Sequence, residues 1–150
     1  MEITVIDDSD YVGWTAAATR IGEIYMSDVK TMVVNVSAQA GSKKIDRLNI
    51  LDHGNKIGLE IGNDWITTGS LSSFRRDLAR LRPLFNPTGF VHLQHCQIGN
   101  NSSLLIALAG VFGVDVYGGT GNHNPVYRFN FGNYNKATPK GTFHLNVGRP

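Results

Sequence analysis

The sequence predicts an α/β domain built on a mostly parallel β-sheet. Short apolar runs rich in β-branched residues recur along the chain, bounded by Gly, Asn, Asp or Pro, which is typical of buried strands. Segments with apolar residues at helical spacing separate several of these runs, as the right-handed crossovers of a parallel sheet require. A length of 150 residues is typical of a single domain that can bury a core, so we treat residues 1–150 as one domain.

The first half of the chain is predicted to contain three strands, a helix and a hairpin. The strands are placed at residues 3–6, 29–36 and Ile45–Leu51. Residues 11–26 fit an amphipathic helix loosely. A Gly-Asn-Asp turn at residues 62–64 separates two short alternating runs, which predicts a β-hairpin after His53-Gly54.

The second half is predicted to continue the alternation and then to change character. Residues 70–81 are the clearest amphipathic helix, and Pro83 closes it. A strand at 90–95, a helix at Ser102–Phe112 and a strand at 114–117 are predicted to follow.

From residue 122 onward the pattern becomes that of a β-ribbon. Two alternating runs, at residues 126–131 and 142–147, are separated by a segment rich in Asn, Lys and Pro. We therefore divide the domain into an α/β core, residues 1–121, and a ribbon tail, residues 122–150. The ribbon is expected at the edge of the sheet or extending toward a partner.

Composition argues against several classes of partner. The formal net charge is only +2 and the basic residues are scattered, so nucleic-acid binding is not predicted. No apolar run reaches transmembrane length, and the first residues lack the pattern of a signal peptide. We therefore expect a cytoplasmic protein, or one delivered into a target cell without a cleaved signal peptide, and no membrane partner.

Two predicted strand ends carry residues used in nucleophilic catalysis. The third strand runs into Asp52-His53-Gly54, and the strand at 90–95 stops at Cys96, the only cysteine. The carboxyl ends of parallel strands share the edge of the sheet at which ligands of open α/β sheets bind. A nearby base converts a thiol to the reactive thiolate. We expect His53 and Cys96 to meet there, with a buried structural thiol as the alternative.

The motifs around these strand ends resemble those of the clan CD cysteine peptidases, which include caspases, metacaspases and gingipains. These enzymes have an apolar strand that ends in His-Gly and a second strand that ends in the nucleophilic Cys. In caspases the second motif is Gln-Ala-Cys-x-Gly and lies about 50 residues after the His. Residues 94–99 of this sequence read Gln-His-Cys-Gln-Ile-Gly. From residue 3 to residue 121 the chain is most similar to the small caspase-like domains at the N-termini of large bacterial surface proteins.

The resemblance implies a three-layer, caspase-like sandwich with helices on both faces of the sheet. It implies that Cys96 is the nucleophile, that His53 is the general base or acid, and that the backbone N–H groups of Gly54 and Cys96 form the oxyanion hole. The implied activity is hydrolysis of a peptide or related acyl bond through a thioester, with a protein or peptide substrate and no cofactor. A bacterial effector or toxin is one setting for such an enzyme.

Other residues near the same edge are candidates for substrate binding. Residues 118–121 read Gly-Gly-Thr-Gly, so Gly119 and Thr120 either wall a substrate cleft or belong to a plain loop. His123 follows in a polar cluster. Asp52 is expected to cap its turn rather than to orient His53, because adjacent strand residues point to opposite faces.

The residues around Cys96 also raise a metal site as an alternative. His92 and His95 lie on one strand at a spacing that points them to opposite faces. The pattern also matches no common zinc signature. No metal is therefore predicted.

The second function hypothesis is a catalytically inactive caspase-like module that binds a protein partner through its sheet edge or its ribbon. The short chain, and the lack of a residue that matches a peptidase specificity pocket, favour the module. The intact His53-Gly54 and Cys96 favour the enzyme. Fold alone does not decide between them.

Overall fold

The structure is a computed structural model that describes residues 1–7, 9 and 23–150. In chain order the strands are β1 (Glu2–Asp7), β2 (Ile24–Met26), β3 (Ile45–Leu51), β4 (Leu59–Ile61), β5 (Asp64–Ile66), β6 (Phe85–Gln94), β7 (Asp115–Gly119), β8 (His123–Asn124), β9 (Phe129–Asn130), β10 (Tyr134–Ala137) and β11 (Phe143–Val147). The α-helices of the described ranges are α1 (Val29–Ala40), α2 (Arg75–Leu78) and α3 (Ser102–Phe112), with 3₁₀ turns at Leu71–Ser73, Ala79–Leu84 and Ile98–Asn100.

Within the described residues, seven strands form one sheet in the order β11-β10-β7-β6-β3-β1-β2. The neighbours from β7 to β2 are all parallel, and β10 and β11 extend one edge as antiparallel strands. The prediction of an α/β domain with a mostly parallel sheet is confirmed. The strand order changes direction between β1 and β3, and the carboxyl ends of strands at such a switch point border a ligand crevice in open α/β sheets.

The apolar core lies between one face of this sheet and the three described helices. The helices contact one another and pack on the same face, α1 against β1 and β2 and α3 against β7 and β10. The core side chains of the central strands are fully or almost fully buried; they are Ile3, Val5, Leu48, Ile50, Val91, Leu93 and Val116. Their alternation along each strand fixes which residues face away from the helices.

The predicted strand at residues 29–36 is wrong, because this segment forms the first two thirds of α1. Asp28 and Thr31 form a capping box in which each side chain accepts a backbone N–H of the other residue. The buried residues of α1 recur at helical spacing; they are Val29, Met32, Val33, Val36 and Ala40. The pattern of burial therefore outweighs the strand propensity of the valines.

Two predicted helices also differ from the structure. Residues 24–26, expected in a helix, form β2 beside β1, and the rest of that predicted helix up to residue 22 lies outside the described residues. The helix at 70–81 is broken into α2 and flanking 3₁₀ turns, the last of which contains Pro83, although Leu71, Leu78 and Leu81 are buried as expected.

The ribbon tail is an edge of the main sheet, and one of its two predicted strands is wrong. Residues 126–131 contain only the short β9, because the Asn124 side chain accepts the N–H groups of Val126 and Tyr127 and turns the chain. β10 lies in the segment expected to be a loop and pairs with β7. The hairpin β4–β5, helix Ser102–Phe112 and the last strand are confirmed. No helix of the described residues is long and apolar enough to cross a membrane.

Candidate active site

The carboxyl ends of β3 and β6 lie side by side at one edge of the sheet. The two strands are parallel neighbours, and their last matched pair is Leu51 and Gln94. His53 and Cys96 each follow that pair by two residues. Neighbouring strands are about 4.8 Å apart, so the turns that carry the two residues begin next to each other.

Gly54 brings the two turns into contact. A Cβ atom at this position would lie 2.8 Å from Cβ of His95 and 3.3 Å from the carbonyl oxygen of Cys96. Any larger residue would therefore push the His53 turn away from the Cys96 turn, and this close approach explains why position 54 is glycine.

The backbone N–H of Gly54 faces away from the hairpin that follows it. Gly54 pairs with Leu59 in an antiparallel bridge whose hydrogen bonds, of 3.0 and 2.9 Å, are made by the flanking residues. In such a pair the N–H and C=O of the bridged residue point outward. Among the described residues, neither the N–H of Gly54 nor that of Cys96 donates to a protein acceptor.

Asp52 fixes the start of the His53 turn. Its side chain is buried, and its carboxylate accepts the N–H of His53 at 2.7 Å and the N–H of Gly62 at 2.9 Å. The second bond ties the turn to the tip of the β4–β5 hairpin. The prediction that Asp52 caps the turn is confirmed, and the backbone of His53 is held while its side chain is exposed.

Cys96 is partly buried, and its sulfur receives a hydrogen bond from the ribbon tail. The backbone N–H of His123 lies 3.3 Å from Sγ of Cys96. A donor aimed at sulfur stabilises negative charge there. The next residue, Gln97, has a φ of 59° and donates its N–H to the carbonyl of Gly121 at 2.8 Å. The tail therefore packs directly on the Cys96 turn.

The predicted substrate residues Gly119 and Thr120 lie beside this turn and hold the loop together. The Asn130 side chain fills the space behind Gly119, where a Cβ atom would lie 2.2 Å from it. Thr120 exchanges hydrogen bonds with Asn133 through its backbone and its hydroxyl, and its carbonyl accepts from Asn100. Substrate contact by Gly119, Thr120 and the ring of His123 stays a prediction.

His95 joins the cysteine strand to the hairpin. Its Nε2–H donates to the carbonyl of Glu60 at 2.8 Å, so Nδ1 is the unprotonated nitrogen. Burial is the main cause that lowers the pKa of His95 to about 3, and the charges of His123 and His53 act in the same direction. The imidazole is therefore neutral and fixed beneath the turn that carries Cys96.

His92 lies on the opposite face from His95, as strand alternation predicts. Its Nδ1 accepts from Arg47 at 3.2 Å, and its ring packs edge-on against Tyr134. Burial lowers its pKa well below the usual value, and Arg47 adds to the shift. Across residues 1–7, 9 and 23–150, no three His, Cys, Asp or Glu side chains cluster as metal ligands would.

Comparison with known protein families assigns the chain to one of them. A family model described as a domain of unknown function, DUF4347, matches residues 16–123. The chain belongs to the DUF4347 family. The DUF4347 match covers most of the chain, including His53, Gly54 and Cys96, and ends at His123, before β10 and β11. A search of curated protein sequences finds no match.

Sequence reasoning missed the contacts by which the tail and the hairpin support the site. The N–H of His123 on the sulfur could not be foreseen, because it depends on where the tail folds back. The hydrogen bond from the Asn101 side chain to the carbonyl of Ile57, in the loop before β4, at 3.1 Å, is likewise long-range. The buried, neutral state of His95 had one local signal, its position facing the helix layer in a strand that alternates regularly.

Proposed function

We propose that the chain is a cysteine hydrolase of caspase-like fold that cleaves a peptide or related acyl bond through a thioester. The observation that carries the proposal is the contact between the His53-Gly54 turn and the Cys96 turn, together with the His123 N–H on the sulfur. The His-Gly end and the Cys end lie on neighbouring parallel strands, as expected from the caspase-like resemblance. Helices on both faces of the sheet and a bacterial effector or toxin role belong to the same proposal.

In this mechanism, His53 takes the proton of Cys96 and the sulfur attacks the acyl carbon. The N–H groups of Gly54 and Cys96, which have no protein acceptor among the described residues, would donate to the oxyanion that forms. His53 then returns the proton to the leaving group, and water hydrolyses the thioester. No cofactor takes part in these steps, and the substrate is a protein or peptide.

The first test is alkylation of Cys96 by iodoacetamide as a function of pH. An unassisted thiol titrates near 8.5, whereas a thiolate paired with His reacts already near pH 6. We expect the native protein to react at pH 6 at least about tenfold faster than His53→Ala. Cys96 is the only thiol, so the label reports one site. The exposed, distant His144 provides the control His144→Ala, which should react like the native protein.

Equal pH profiles for the native protein and His53→Ala would contradict the dyad. A thiol that reacts only after unfolding would do the same. Either result would leave the second candidate, an inactive module that binds a protein partner. One observation favours that candidate, namely the large apolar side chains that the tail exposes, among them Tyr127, Phe131 and Leu145.

The oxyanion hole is tested separately from the nucleophile by Gly54→Ala. The added methyl group would push against Cβ of His95 and the Cys96 carbonyl, which displaces the Gly54 N–H. We expect acylation by p-nitrophenyl acetate to fall by about 10²-fold, the usual cost of losing one oxyanion donor. Alkylation of Cys96 by iodoacetamide, which forms no oxyanion, should fall by no more than it does in His53→Ala, so a larger loss of acylation reports the oxyanion hole.

Gly110 in α3 provides the matched control, because a Cβ atom there would meet nothing within 4 Å. Gly110→Ala should leave both reactions unchanged. If Gly54→Ala acylates at the native rate, Gly54 does not serve the oxyanion hole.

A further inference from the structure

The face of the sheet that points away from the described helices carries a row of polar side chains. Alternate residues of β1, β3 and β6 place polar side chains there, and the strand registers pair Glu2 with Arg47 and Asn49 with both Thr4 and His92. These residues are Glu2, Thr4, Arg47, Asn49, His92 and Gln94. A row of this kind on three central strands of a sheet is unusual, because central strands normally bury apolar side chains on both faces.

A cavity of about 190 Å³ lies on this polar face. Among the described residues it is lined by Glu2, Thr4, Arg47, Asn49, Gln94, Arg128 and Arg149, the last two from the ribbon tail. Its volume corresponds to about six water molecules. That is enough for a phosphate group or a four-carbon acid. We call it the sheet-face cavity.

Part of the lining of the sheet-face cavity is held by internal hydrogen bonds. Arg47 donates from Nε to Oδ1 of Asn49 at 2.8 Å and from Nη2 to Nδ1 of His92 at 3.2 Å. The Asn49 amide donates to Oε1 of Glu2 at 2.8 Å. The walls are therefore ordered before any ligand enters, which lowers the entropic cost of binding.

Gln94 leaves one acceptor without a partner. It is 3 % exposed, and its Nε2 faces Nδ1 of His92 at 3.4 Å. Since Arg47 already donates to Nδ1, that nitrogen must be an acceptor, and the amide nitrogen of Gln94 must face it. Oε1 of Gln94 is then a buried acceptor that receives no hydrogen bond from any described residue. A buried acceptor of this kind calls for a donor from outside the chain.

Among the described residues, the charges around the sheet-face cavity are not balanced. Glu2 lies 3.7 Å from Arg47, and Glu23 pairs with Arg128. Arg149 donates to the backbone carbonyl of Arg128 at 2.7 Å and has no carboxylate partner among the described residues. The nearby guanidinium groups of Arg47 and Arg149 add to the effect of burial in lowering the pKa of His92, which indicates a positive potential.

We propose that the sheet-face cavity binds a small anion that also carries a hydroxyl group, that is, a phosphate ester or a hydroxycarboxylate. The anionic oxygens would pair with the guanidinium groups of Arg149 and Arg47, for which such oxygens are well matched. The hydroxyl would donate to Oε1 of Gln94. This site is separate from the proposed cysteine chemistry and does not depend on it.

The test is isothermal titration calorimetry of the full chain with glycerol 3-phosphate, malate and glycerol. We expect saturable binding of at least one of the two anions and none of glycerol, and the comparison of the anions separates phosphate from carboxylate recognition. Gln94→Glu keeps the shape of the side chain and adds a negative charge, so it should lower the affinity for the anion at least about tenfold. Arg76→Gln, on the exposed surface of α2, removes a positive charge elsewhere and should have no effect.

Three results would overturn the site. The first is the absence of saturable binding for both anions. The second is an affinity of Gln94→Glu equal to that of the native protein. The third is a loss of affinity in Arg76→Gln equal to that in Gln94→Glu, which would indicate unspecific attraction to positive charge. If Gln94→Glu does not fold, Arg149→Gln serves in its place, because Arg149 is exposed and lies outside the helices and strands. Its affinity should also fall at least about tenfold, and an unchanged affinity would contradict the proposal.

Discussion

Acidification is expected to unfold the protein steeply below pH 6.5, because three histidines are neutral in the folded state. Burial is the main cause that lowers the pKa of His95 to about 3, the pKa of His123 to about 4, and the pKa of His92 well below the usual 6.5. An unfolded chain protonates all three near pH 6.5, whereas the folded chain does not. Protonation therefore favours the unfolded state as the pH falls.

The size of the effect follows from the number of protons. Each histidine lowers the folding equilibrium constant up to about tenfold per pH unit between 6.5 and its folded-state pKa. As long as all three stay neutral in the fold, they together give about a thousandfold per unit. Two such units approach the whole stability of an ordinary domain. Asp28 and Asp46 have lowered pKa values in the fold. Their protonation therefore destabilises the protein only toward pH 3.8 and below, outside the range from pH 6.5 to pH 4.

Urea unfolding at pH values between 4.5 and 7.5 would measure this slope. His95→Gln keeps a donor for the Glu60 carbonyl but cannot be protonated. The slope should therefore correspond to one proton fewer taken up on unfolding. His144→Gln, at an exposed position, should leave it unchanged. A stability that is constant from pH 7 to pH 5 would show that these rings are not neutral in the fold.

The parts of the fold that sequence predicted are those with a local cause. Ile45–Leu51 and Ser102–Phe112 have a clear period and clear ends, and both were placed to the residue. The segment at 29–36 was misread because its valines favour strands on their own. The information that makes it a helix is the capping box at Asp28 and the core that the helix meets, and only the first is local.

The candidate site also has features that the sequence predicts locally and features that depend on long-range contacts. That His53-Gly54 and Cys96 end neighbouring strands follows from their place after apolar runs in a parallel sheet. The His123 N–H on the sulfur and the arginines of the tail over the polar sheet face depend on how residues 122–150 fold back. β10 was missed for this reason, since its pairing with β7 supplies the order that its own residues do not indicate.

Arg128→Gln is expected to cost about 3–5 kcal/mol of stability, the usual effect of breaking a buried ion pair. Arg128 pairs with Glu23, and both side chains are 6 % exposed. The substitution leaves the Glu23 carboxylate buried, and the other oxygen of that carboxylate already has no partner among the described residues. Chemical denaturation at pH 7.5, where the histidines are neutral in both states, measures the loss of this ion pair without a contribution from histidine protonation.

The double variant Arg128→Gln with Glu23→Gln should recover part of the loss, because a neutral amide is less costly to bury than an unpaired carboxylate. Arg76→Gln, exposed on α2, should change stability by no more than about 0.5 kcal/mol. Equal stabilities of the single and double variants would mean that the unpaired Glu23 carboxylate is not costly to bury. Because Arg128 anchors the tail that presents His123 to Cys96, loss of the pair should also alter the alkylation rate of Cys96, which a purely local defect would leave unchanged.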